Sequence, residues 1–136
     1  ILNLLNTIKI EFGLAMLFIS HDLAVIKRVS DRVAVMYLGT VCELAPAEML
    51  FSGPAHPYTA ALLGAIPKPR RGNRRSTDIT AANDFPLSIG PVSGCRFYPR
   101  CPKMKTLCTE QSPSMAEVAI GHHVACHFPV LEIASE

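Results

Sequence analysis

Ile1, Leu4, Leu5, Ile8 and Phe12 recur at helical spacing, with Asn3, Asn6, Thr7, Lys9 and Glu11 on the other faces and Gly13 where a helix would stop. The spacing predicts an amphipathic first helix. No Ser, Thr, Asp or Asn precedes Ile1 to cap it, so its true start is expected upstream, in a longer chain. Residues 14–19, Leu-Ala-Met-Leu-Phe-Ile, are apolar without alternation, the pattern of a strand buried on both faces of a parallel sheet. Ser20-His21-Asp22 follow at its carboxyl end, the edge at which open α/β sheets bind ligands. Helix followed by buried strand is half of an α/β crossover.

Leu23, Ile26 and Val29 then predict a short helix, residues 32–38 a strand, Gly39-Thr40 a turn, and residues 41–44 an antiparallel return. Pro46 opens a helix through about Phe51, which Ser52-Gly53-Pro54 breaks. Pro57 restarts one whose Tyr58, Ala61, Leu62, Ala65 and Ile66 share a face, and Pro67 ends it. Residues 67–93 mix Pro, Gly, Asn, Arg, Ser and Thr with isolated apolar positions and read as a connector. Beyond it lies a short unit carrying four cysteines.

Of the 136 residues, 49% are hydrophobic and 18% charged, which excludes disorder throughout and fits one modest domain or part of a larger protein. No apolar run reaches the roughly 18 residues of a membrane-spanning helix, and no secretory leader is visible. The formal net charge of +2 misleads, because Lys68, Arg70, Arg71, Arg74 and Arg75 concentrate in the connector and leave the rest net acidic. Set among Pro67, Pro69, Gly72 and Asn73, that cluster reads as a solvated linker, not a nucleic-acid face.

Cys95, Cys101, Cys108 and Cys126 are separated by five, six and seventeen residues. A segment too short for a large core gains stability from one metal centre, and four thiolates can hold one. The lack of C-x-x-C pairs counts against structural zinc, while iron–sulfur clusters tolerate varied spacings; two disulfides or four ordinary thiols are the plain alternatives. His122, His123 and His127 flank Cys126 but read as hydrogen-bonding neighbours or exposed residues before ligands. Cys42, in the second hairpin strand, reads as a small buried hydrophobe. His21 could touch a phosphate oxygen or an attacking water, although capping of the next helix by this region, Asp22 included, is the simpler structural role.

The run 17–23, Leu-Phe-Ile-Ser-His-Asp-Leu, with Asp31-Arg32-Val33-Ala34-Val35-Met36-Tyr37-Leu38-Gly39, resembles the histidine switch region and following strands of an ABC-transporter nucleotide-binding domain. Phe51, Pro54, His56-Pro57-Tyr58-Thr59, Leu62-Leu63 and Ile66-Pro67 resemble the segment peculiar to ATP-binding subunits of oligopeptide and dipeptide importers. Gly94-Cys95-Arg96-Phe97, Pro99-Arg100-Cys101-Pro102, Cys108 and Gly121-His122-His123-Val124-Ala125-Cys126-His127 extend the likeness over nearly the whole chain. Glu43-Leu44-Ala45 departs from the family at a position where glycine is common.

The resemblance implies an α/β fold: the C-terminal part of a P-loop ABC-type nucleotide-binding domain over 1–66, a basic linker over 67–93, and a small irregular Cys-rich metal-binding appendage over 94–136. It implies His21 as the catalytic and ATP-contacting switch histidine. Cys95, Cys101, Cys108 and Cys126 are implied as ligands of a four-iron four-sulfur cluster, with zinc as the alternative. The parent would bind ATP and Mg²⁺ at the cytoplasmic face of the bacterial inner membrane and power peptide import. Its partners would be a second nucleotide-binding subunit, two membrane permeases and, indirectly, a substrate-binding protein, with no nucleic acid. These residues contain no G-x-x-x-x-G-K-[ST] loop, signature motif or acidic Walker B strand, so alone they are predicted not to hydrolyse ATP. The rival reading is a freestanding four-cysteine zinc or iron–sulfur interaction module.

Overall fold

The computed structural model describes residues 1–66 and 93–130. The basic connector therefore lies, apart from Ser93, outside the described residues.

The first helix forms as expected: α1 spans Leu2–Glu11, and Gly13 closes it at φ +61°. The Leu14 amide bonds Lys9 O at 3.0 Å and the Gly13 amide bonds Ile10 O at 3.4 Å, the paired closure that a left-handed glycine permits. None of its residues is fully buried. Arg28 donates to Asn3 Oδ1 at 2.9 Å and Lys9 pairs with Asp31, and these polar ties attach α1 to the segment that follows.

Residues 14–19 differ from expectation. They form no strand, and Leu17 and Ile19 are 92% and 89% exposed. A strand buried on both faces needs flanking strands and two covering layers, and the sheet among the described residues supplies neither at this place. Beyond it α2, Leu23–Val29, is capped by Asp22, whose carboxylate accepts from the Ala24 and Val25 amides at 2.9 and 3.2 Å.

Strands β1 (Arg32–Tyr37) and β2 (Thr40–Pro46) form the expected hairpin. Leu38 and Gly39 both take positive φ, 46° and 78°, which suits a two-residue turn whose twist matches the strands. Alternation on β1 buries Val33 and Val35. On β2 it breaks: Val35 opposes Glu43 while Met36 opposes Val41, so Cys42 is an inserted residue and Cys42 and Glu43 are buried in succession. Helices α3 (Ala47–Ser52) and α4 (Pro57–Gly64) close over the hairpin, with Ile26, Val33, Val35, Cys42, Ala45, Ala47 and Leu50 as core and Tyr37, Phe51, Tyr58, Leu62 and Leu63 against it.

The cysteine-rich segment contributes a 3-10 turn at Tyr98–Arg100, α5 (Thr106–Glu110), β3 (Ala116–Ala119) and β4 (His122–Val124). Strand β4 pairs antiparallel with β2, giving one four-stranded sheet of order β1-β2-β4-β3. The segment is thus not merely tethered through the connector, because it extends the hairpin sheet. Parallel pairing of the kind residues 14–19 suggested is absent from this sheet.

Candidate functional site

Four separate devices bring the cysteines together. Gly94 approaches the end of α5 so closely that a Cβ would lie 2.6 Å from Thr109 O and nearer still to Cys108 O. That approach lets the Cys95 amide bond Cys108 O at 2.8 Å. The 3-10 turn then sets Cys101, whose amide bonds Tyr98 O at 3.2 Å. Cys108 is buried in α5, and Cys126 follows β4, where the Ala125 amide bonds Cys42 O at 2.9 Å.

All four cysteines line one cavity of about 10 Å³, together with His56, Pro57, Phe97, Tyr98, Lys103, His127 and Phe128. All are free thiols, which sets the disulfide alternative aside for this structure. Burial pushes the Cys95 and Cys101 thiols above their ordinary pKa and pushes Cys126 up to about 11, partly opposed by the Phe128 amide. Among the described residues no three His, Cys, Asp or Glu side chains are drawn close enough to form a ready metal cage. The four cysteines surround a space large enough for about one water-sized body.

Phe97, 5% exposed, joins the ring to the hairpin core. Its ring lies 5.2 Å from that of Tyr37, 5.4 Å from Tyr58 and 5.7 Å from His56, in tilted or edge-on arrangements. Arg96 donates to Leu38 O in the hairpin turn.

Behind the ring lies a buried carboxylate, Glu43, that the sequence did not single out, the departure at the hairpin's end being at Ala45. Glu43, 0% exposed, accepts from the Ala55 amide at 2.6 Å, the His56 amide at 2.9 Å and His122 Nε2 at 2.7 Å. A lone acid in an apolar strand was the available signal, since an unpaired carboxylate is rarely buried. His122 and His127 are hydrogen-bonding neighbours, His127 Nε2 donating to Gln111 O at 2.9 Å. His123 Nδ1 is buried without a partner among the described residues.

His56 caps α4: its Nδ1 accepts the Tyr58 amide at 3.0 Å. Burial lowers its pKa, the Glu43 charge opposing this more weakly, so the ring is neutral near pH 7. Cys42 is buried as expected, its Sγ donating to Val35 O at 3.3 Å and its pKa pushed up to about 12, first by burial and then by Glu43. His21 stands apart, exposed ahead of the Asp22 cap and absent from the residues lining the cysteine cavity.

Residues 42–108, from Cys42 in the hairpin to Cys108 in the thiol cavity, match the family model described as oligopeptide/dipeptide transporter, C-terminal region. Among individual proteins it is 45% identical over 128 residues to the oligopeptide transport ATP-binding protein AppF of Bacillus subtilis, covering 93% of this chain and 39% of that protein. It is 45% identical over 127 residues to a probable peptide ABC transporter ATP-binding protein of Sinorhizobium fredii, covering 93% and 36%. It is also 46% identical over 126 residues to a putative peptide import ATP-binding protein of Brucella ovis, covering 93% and 39%. The chain spans well under half the length of each of these relatives. Among the described residues no helix is long and apolar enough to cross a membrane.

Proposed function

We propose that this chain is the C-terminal part of an ATP-hydrolysing subunit that powers peptide import across the bacterial inner membrane, and that Cys95, Cys101, Cys108 and Cys126 hold a metal centre in it. The observation that carries the reading is the likeness over 93% of the chain to peptide transport ATP-binding proteins of different bacteria. The exposed apolar run 14–19 supports it, as a strand whose flanking strands belong to the rest of the subunit. Residues 1–66 then finish the nucleotide-binding domain, 67–93 link, and 94–136 carry the cysteines. His21, at the carboxyl end of that run, contacts the terminal phosphate of ATP, held with Mg²⁺ by the remainder of the subunit, and helps to orient the attacking water. The partners are a second nucleotide-binding subunit and two permeases at the cytoplasmic membrane face, with a binding protein acting through them. The 136 residues alone do not turn over ATP.

The donor set fits a metal centre: four thiols from four local structures, none in a disulfide, share one cavity. A four-iron four-sulfur cluster bound there would supply one-electron redox capacity as well as a covalent staple. The small volume favours a second reading, a single zinc ion, because a cluster requires the ring to widen.

Anaerobic purification of the longer subunit, with iron, sulfide and zinc analysis, tests the centre. Four irons and four sulfides lost in Cys108→Ser support the cluster, one zinc supports the second reading, and no metal refutes both. In the same protein His21→Ala is expected to keep ATP binding and cut turnover, and an unchanged rate refutes its role.

A further inference from the structure

We propose that His56 is a positioning residue of the cysteine site, its Nε2–H donating a hydrogen bond to a sulfur held in the ring of Cys95, Cys101, Cys108 and Cys126. The inference rests on the metal-centre reading and adds to it a residue outside the thiol set. His56 is 2% exposed and lines the cavity beside the four cysteines. Its Nδ1 accepts the Tyr58 amide at 3.0 Å, so that lone pair is committed and the proton of the neutral ring resides on Nε2. A protonated nitrogen cannot ligate a metal, but it can donate to a thiolate, as partners just outside a metal's own ligands do.

Two other nitrogens at the cavity are engaged elsewhere. Lys103 gives Nζ to Pro129 O at 3.1 Å, and His127 gives Nε2 to Gln111 O. The backbone of His56 is also pinned, its amide donating to Glu43 Oε2, while its ring lies against Phe97. Cap, carboxylate and aromatic contact together fix where the imidazole stands. Donation to sulfur favours the more negative state of a centre, so this placement would raise its reduction potential.

His56→Asn separates the two roles, because Asn is a strong helix cap yet lacks the imidazole N–H. In the longer subunit, loaded anaerobically with iron and sulfide, the variant is expected to bind metal at wild-type stoichiometry. Its oxidised-to-reduced ratio at fixed potential should rise about tenfold, a midpoint lowered by about 59 mV for a one-electron couple. An unchanged midpoint overturns the proposal and leaves the metal centre standing. A wild-type protein that binds neither iron nor cobalt removes the centre and the proposal with it. The wild type gives a readout that needs no variant: loaded with cobalt(II), it should show a strongly shifted exchangeable imidazole proton beyond any from ligating groups, and its absence counts against His56.

Discussion

Replacing Glu43 is the sharpest test of how the sheet holds together. Its carboxylate collects three donors from two places remote in sequence: the 55–56 turn before α4, and His122 on β4. Both Glu43 and His122 are essentially inaccessible, so water cannot replace a lost partner. Glu43→Ala orphans all three donors, and with each unsatisfied buried donor costing about 1–3 kcal/mol the loss is about 4 kcal/mol. With a urea dependence of about 2 kcal/mol/M, the unfolding midpoint should fall by about 2 M. Glu43→Gln is more discriminating. Ala55 and His122 both donate to Oε1, whereas His56 donates to Oε2, so an amide oriented with its oxygen at Oε1 keeps two bonds and turns its NH2 on the His56 amide. Its expected cost is one unsatisfied buried donor, about 1–3 kcal/mol. Urea unfolding of the metal-free protein, followed by circular dichroism, ranks the variants. Glutamine as damaging as alanine, or both within about 0.5 kcal/mol of wild type, would refute the three-donor arrangement.

Gly94→Ala should separate Cys95 from Cys108, because the added methyl meets backbone oxygens that cannot turn aside; metal analysis should show lost or substoichiometric loading, and full loading would contradict this. His56 has a lowered folded pKa, so the unfolded chain takes up its proton first: stability from this group is complete above its ordinary value of 6.5 and declines as pH falls below it, by at most about 1.4 kcal/mol per pH unit. Urea midpoints from pH 8 to 5 should bend downward below 6.5 in wild type and less so in His56→Asn. Cys42, with its thiol pushed up to about 12, should resist iodoacetamide at pH 8 until the protein unfolds, and Cys42→Ala should leave metal stoichiometry unchanged. Phe97→Ala should cost about 3–5 kcal/mol and loosen metal retention, measured as faster loss to a chelator.

Local patterns were legible wherever a residue's own chemistry decides the backbone. Gly13 ending α1, Asp22 capping α2, the turn at Gly39 and Pro57 opening α4 all follow from φ preferences and capping. What eluded the sequence depended on pairing at long range. The Cys42 bulge can be seen only with β1 opposite β2, and it is what turns Glu43 inward. The union of β2 with β4 joins Glu43 to Val124 across some eighty positions, and no periodicity announces it. The run 14–19 is the converse case: its composition reports a strand with flanking strands, and the described residues contain none for it.

The same long-range pairing bears on how metal held at the cysteines would reach residues 1–66. Cys126 lies two residues beyond β4, β4 is bound to β2, and β2 turns through Leu38 and Gly39 into β1, which begins three residues after α2 ends. Asp22, which caps α2, adjoins His21. A second route runs through Phe97 to Tyr37 and Tyr58, and a third through Glu43 to the α4 cap at His56. The routes are packed side chains and paired backbone, continuous from the thiol ring to the helix beside His21, with the connector bypassed. Metal bound as proposed would therefore stiffen a sheet shared with the hairpin, and the stability gained should appear in β1 and β2 as well as in the cysteine segment. Hydrogen exchange resolves this directly: slower exchange at Val33 and Val35 on metal loading is expected, and protection confined to residues 94–130 would show that the shared sheet transmits nothing.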